Sequence, residues 1–204
     1  MLTIIVVAVV AVLLAFLLGT IYNKLVRLRE RTRSSFAQID VQLERRHDLI
    51  PNLVETAKAY LQHERETLEE VVRARAASTQ ARIEVSGDPQ NLAAMERLGA
   101  SEGALGGALS RLLALAEAYP DLKANQTMAQ LTEELTVTED RIAYSRQNYN
   151  DQVNDYQTYK ASFPAVFVAN PFGFADSAYL DLDDQAHKRA PIQVSFDDPP
   201  ADPV

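Results

Sequence analysis

Glu44-Arg45-Arg46-His47 is the one spacing in this chain that suggests metal chemistry. On a helix, Glu-x-x-His puts a carboxylate and an imidazole on one face, the unit from which di-iron bundles are built. Such a site needs a second unit and further carboxylates on facing helices. The similar spacing, Asp184 to His187, lies near the C-terminus, and Arg45 and Arg46 set positive charge beside the ligands. The sequence therefore argues against a metal, and no cofactor is expected. There is no Cys, which excludes thiolate zinc, a Cys nucleophile and disulfides. HExxH, a phosphate-cradling Gly loop and G-x-S-x-G are absent, so neither catalysis nor a small-molecule substrate is expected. A net charge of −8 speaks against nucleic acid. What remains is a surface. Arg45, Arg46, His47, Asp48 and Asn52 gather charge and hydrogen-bonding capacity beside Pro51, and are read as a partner-binding face. Their competing role is to shape the bend that Pro51 should cause.

These residues must be held by helices. The chain has 204 residues, 47% hydrophobic but only 7% aromatic, rich in Ala, Leu, Glu, Gln and Arg. That leans toward an all-α fold. Residues 1–18 form an uncharged apolar run, with no charge before Lys24. About 20 such residues, at ~1.5 Å each, span a bilayer core. The run lacks the basic start and small-residue cleavage site of a signal peptide, so residues 1–22 are read as a single-pass anchor. Lys24, Arg27, Arg29, Arg31 and Arg33 follow it, opposed only by Glu30. Such a cluster marks the cytoplasmic side, which places the N-terminus outside and the rest in the cytoplasm.

Beyond the anchor, apolar residues recur at gaps of three, four and seven: Leu25, Leu28, Phe36, Ile39, Leu43, Ile50, Leu53 and onward. The pattern predicts one long helix to about Arg82, kinked at Pro51, which cannot donate to the His47 carbonyl. A second helix is predicted from about Pro89 to Ala118, capped by Ser86 or Asp88. Its Gly99, Gly103, Gly106 and Gly107 suggest close approach to a neighbour. Asn125 or Thr127 should cap a third, ending near Ser162. Taken as rods that turn at these breaks, the three would leave residues 22–50 standing alone as a stalk with an apolar stripe. Its cover would be another copy, a different partner, or the apolar segment 163–174 running back. Residues 176–204 are acidic and Pro-rich and are expected to be largely disordered.

The stretch FAQIDVQLERRHDLIPNLVETAKAYLQHE (36–64) resembles the LemA family of bacterial membrane proteins. So do YNKLVRLRERTRSSF (22–36), AYPDLKAN (118–125) and EDRIAYSRQNYND (139–151). The resemblance covers about residues 20–175, with Phe36 where the family more often has Trp. It implies a short anchor followed, over 23–175, by an antiparallel up-and-down helical bundle: three long helices plus a short C-terminal segment, four-helix-bundle-like. It implies no catalytic mechanism. Some relatives are associated with organising internal bacterial membranes. The expectation is a non-enzymatic scaffold or adaptor on the cytoplasmic face of the bacterial inner membrane, acting through self-association or another membrane protein. The alternative is an accessory module that presents substrates or partners to a membrane protease or exporter.

Overall fold

The computed structural model describes residues 1–181 and is all-helical, with no strand among them. The elements are α1 (Leu2–Lys58), α2 (Arg65–Gly87), α3 (Leu92–Glu117), α4 (Pro120–Lys123), α5 (Gln126–Ala161) and α6 (Val166–Ala169). Residues 1–20 of α1 are fully exposed, and this stretch is long and apolar enough to cross a membrane. From Ile21 on, the same helix buries a stripe through Leu25, Leu28, Phe36, Ile39, Leu43, Ile50 and Leu53 to Ala57.

The helix expected to reach Arg82 instead breaks at 59–64. No Gly or Pro marks that turn. It is held by tertiary contacts. Leu61 is fully buried at the tip of the core. Asn125 Nδ2 donates to Tyr60 Oη at 3.1 Å, and Tyr119 Oη donates to Glu64 Oε1 at 3.3 Å. A local reading of propensity has no access to such contacts.

That turn changes the course of the whole chain. Moving up α1, its partners on α2 descend: Asp40 meets Arg82, and His47 meets Ser78. The order is likewise reversed between α2 and α3, where Glu70 pairs with Arg111 and Glu84 with Arg97. On α5, Gln152 faces Thr32, Tyr149 faces Phe36, and Glu139 faces Arg46. So α5 lies along the expected stalk and ends at its base, where the expectation had it running outward. Residues 22–50 are covered by the chain itself.

The caps also differ from expectation at one end. Asn91, rather than Ser86 or Asp88, caps α3 by accepting from the Ala94 amide at 3.0 Å, which leaves Pro89 outside the helix. Asn125 caps α5 as expected, accepting from Met128 N at 3.0 Å. Among the α3 glycines, Gly99 is the close approach: a Cβ there would lie 2.5 Å from the Asp181 carbonyl oxygen. A Cβ at Gly106 would meet nothing.

The segment after α5 is seated on the helices. Ala165, Val168, Ala169 and Phe174 pack with Ile21, Leu25, Leu28 and Tyr156. Tyr156 Oη donates to Ala175 O and Tyr149 Oη to Ala178 O, each at 2.8 Å. Asn150 both accepts from Leu180 N at 3.0 Å and donates to its carbonyl at 3.1 Å. Residues 176–181, expected to open a disordered tail, are thus pinned against α5. The rest of that tail, 182–204, lies outside the described residues.

Candidate functional site

The core falls into three apolar clusters stacked along α1. Between the middle cluster, which ends at Leu43 on α1, and the distal one, which begins at Ile50, sits a layer of polar side chains. Arg46 and His47 come from α1, Ser78 from α2 and Glu102 from α3, and all four are buried. The Arg46 guanidinium pairs with Glu102 and, through Nη1, with Glu139 on α5 at 2.7 Å. One side chain therefore ties three helices together. Glu139 is more than half exposed, so the network begins at the surface and runs inward.

His47 Nε2 lies 2.9 Å from Ser78 Oγ and 3.2 Å from Glu102 Oε1. Ser78 Oγ in turn donates to Glu102 Oε1. The single serine proton is spent on the carboxylate, so His47 carries its proton on Nε2 and donates to Ser78. Burial is the main cause that lowers the His47 pKa to about 4, with Arg46, Arg82 and Arg75 adding repulsion. The imidazole is neutral at physiological pH. Ser, His and Glu are the ingredients of a hydrolytic triad, but the order is wrong. In a triad the acid orients the histidine through the nitrogen facing away from the serine. Here Glu102 and Ser78 crowd the same nitrogen, and none of the three reaches solvent. The arrangement holds helices in place.

Pro51 contributes to the same layer. α1 runs through it without a break. The His47 carbonyl, which Pro51 cannot serve, accepts from Arg75 Nε of α2 at 2.8 Å. A hydrogen bond lost within one helix is replaced by one between two helices. Beside it, Arg82 bridges Asp40 at 3.1 Å and Glu44 at 3.9 Å.

A desolvated Arg–Glu pair is costly, and replacement by well-packed apolar residues is often neutral or stabilising. An apolar stripe can slide by a turn against its neighbour, whereas a buried charge that slides loses its partner.

The expected partner face is therefore divided. Arg46 and His47 point inward. Arg45, Asp48 and Asn52 remain exposed, with Arg45 3.9 Å from Glu134. Glu44 and His47, the Glu-x-x-His pair, diverge as the sequence leads one to expect of a non-metal site: Glu44 turns to Arg82 and His47 to Ser78. Among the described residues there is no cluster of three or more His, Cys, Asp or Glu placed to hold a metal. Asp184 and His187 lie outside them. Of the basic residues after the apolar run, Lys24, Arg27, Arg31 and Arg33 are exposed, while Arg29 is half-buried over the Phe174 ring.

Ser78, Glu102, Arg75 and Glu139 escaped the sequence reading. A signal for them exists. Arg46 lies three past Leu43 and four before Ile50. Glu102 lies four past Leu98 and three before Leu105. Each is a charged residue in phase with an apolar stripe, at the place where the stripe skips seven residues.

The chain is 26% identical over 178 residues to magnetosome proteins MamQ 1 and MamQ 2 of Paramagnetospirillum magneticum, covering 78% of this chain and 64% of each relative. It is 27% identical over 174 residues to magnetosome protein MamQ of Magnetospirillum gryphiswaldense, at the same coverage. The chain thus spans less than two thirds of the length of these relatives. Residues 35–196 match the sequence profile of the LemA family, and the match takes in the whole polar layer. The chain belongs to the LemA family.

Proposed function

We propose that this protein is a membrane-anchored helical scaffold or adaptor without catalytic activity. Its first helix crosses the bacterial inner membrane with the N-terminus outside. The remaining helices form an antiparallel up-and-down bundle on the cytoplasmic face and act through protein contacts. The observation that carries this reading is the continuity of α1. One helix, Leu2–Lys58, is bare over its first 20 residues and sheathed over the rest. Such a helix couples a bilayer segment to a domain in which buried Arg46, His47, Ser78 and Glu102 serve one another. Lys24, Arg27, Arg29, Arg31 and Arg33 supply the charge bias for the orientation. Similarity to proteins named for the magnetosome favours a part in organising a cellular structure over turnover of a substrate, although this chain matches only part of them.

Photocrosslinking in cells tests the proposal, with the probe at exposed Val41, Asp48 and Tyr144. A self-assembling scaffold should crosslink chiefly to its own copies. Capture of a single foreign membrane protease or exporter would replace this reading with the accessory-module alternative. No protein adduct at any of the positions would overturn both.

A further inference from the structure

We propose that the base of the helical domain makes a second contact with the bilayer, through Phe163, Phe167 and Phe172. The inference rests on α1 being a membrane anchor. The segment 163–174 presents two opposite faces. Its small and aliphatic residues, Ala165, Val168 and Ala169, are buried on Ile21, Leu25 and Leu28. Three of its four rings point away, Phe163 at 82% exposed, Phe167 at 68% and Phe172 at 66%, while Phe174 is buried with the aliphatic face. A soluble domain would be expected to seat the rings and expose the alanines, because a ring buries far more apolar surface.

Position explains the inversion. The Phe172 ring stands 5.3 Å from the Tyr22 ring, edge to face, and Phe163 packs on Phe167 at 6.0 Å. Tyr22 lies four residues past Leu18, the last of the apolar run. At ~1.5 Å per residue that is about 6 Å beyond it. The interfacial layer on each side of a bilayer is about 5–7 Å deep, so Phe172 beside Tyr22 is level with the headgroups, and Phe163 and Phe167 flank the same base. Cations accompany them. Lys24 Nζ sits 4.1 Å over the Tyr159 ring, and the Arg29 guanidinium 5.4 Å over Phe174. Around this base Lys24, Arg27, Arg29, Arg31, Arg33 and Lys160 narrowly outnumber Glu30, Asp88, Asp151, Asp155 and Asp176. Aromatic rings at headgroup depth beside basic side chains suit an anionic interface. Exposed apolar side chains higher on the domain, such as Val41 and Val72, need no such partner, because single ones are normal on a protein surface.

The chain contains no Trp, so an introduced one reports alone. The full chain would be reconstituted into phosphatidylcholine–phosphatidylglycerol vesicles, with and without bromine on the acyl chains. Four variants are compared: Phe167→Trp, Phe172→Trp, Leu17→Trp inside the anchor, and Tyr144→Trp high on α5. The expected result is bromine-dependent loss of emission at 17, 167 and 172, and none at 144. Loss at 17 alone leaves the anchor standing and overturns the second contact, whether the rings then face water or another protein. Loss at 167 and 172 without 17 retains the surface contact and overturns the anchor. No loss anywhere overturns both, and equal loss at 144 overturns a contact confined to the base.

Discussion

The polar layer around Arg46 and the aromatic base around Tyr22 invert the usual rule in opposite ways. The layer buries charge, and the base leaves rings bare. Both cost free energy in water unless something answers them. In the layer the answer is internal: Arg46 meets Glu102 and Glu139, while His47 meets Ser78. At the base, the described residues around Phe163, Phe167 and Phe172 leave the rings open, and the answer must come from beyond the described residues. The comparison teaches that burial alone does not say whether a residue is in its proper place. The medium on its far side decides. Arg46 is stable inside because a carboxylate replaces water. Phe167 is stable outside if lipid does.

The largest effect should come from breaking the layer. Glu102→Ala leaves the Arg46 guanidinium buried without its inner partner, and should destabilise the domain by about 3–5 kcal/mol, measured by denaturant unfolding. Replacing both partners, Arg46→Met with Glu102→Leu, should recover most of that loss. If the single and double variants were equally unstable, the layer would not be a paired unit, and the contrast with the base would collapse.

A smaller effect should follow pH. His47 falls to a pKa of about 4 in the fold, from 6.5 when free. Between those values the unfolded chain binds the proton and the folded chain refuses it. Stability therefore holds above pH 6.5 and declines as pH falls toward 4, by up to about 3 kcal/mol from this group. The difference between the native chain and His47→Gln isolates the histidine from every other group that responds to acid. The native curve should fall more steeply over that window. Parallel curves would show that His47 is not excluded from water.

The smallest effect is expected at the base. In detergent micelles, Phe167→Ser should change unfolding free energy by no more than about 0.5 kcal/mol, as for an ordinary surface site. A loss of several times that would mean the ring packs within the protein, and the two regions would then differ less than proposed.

Much of the helical character is legible in the residues. The stripe from Phe36 through Ile39, Leu43, Ile50 and Leu53 is the buried face of α1, and Asn125, one of the two residues read as able to cap the third long helix, is its cap. The turn at 59–64 was not legible, because nothing local breaks the helix there. Leu61, Tyr60 and Glu64 settle it through residues far along the chain. Without that turn α5 would run outward, and the stripe at 22–50 would need another copy, a partner or the segment 163–174 to cover it; in the fold α5 and that segment do so together. The site suffered similarly. Arg45 to Asn52 looked like one polar patch because adjacent residues were read together, yet a helix turns Arg46 and His47 inward while Asp48 faces out.

The stripes skip seven residues on α1 between Leu43 and Ile50, on α3 between Leu98 and Leu105, and on α5 between Leu135 and Ile142. By itself the sequence determined that these gaps exist, because side-chain periodicity along a helix is a local property. It likewise determined the apolar run, the basic flank and the absence of cysteine chemistry. Only the tertiary structure decided that the gaps lie at one level. There Arg46, Glu102 and Thr138 fill them and Ser78 joins from α2. The reason is physical. Whether a charged residue faces water or another charge depends on which helices turn back and where, and that depends on contacts between residues distant in the chain.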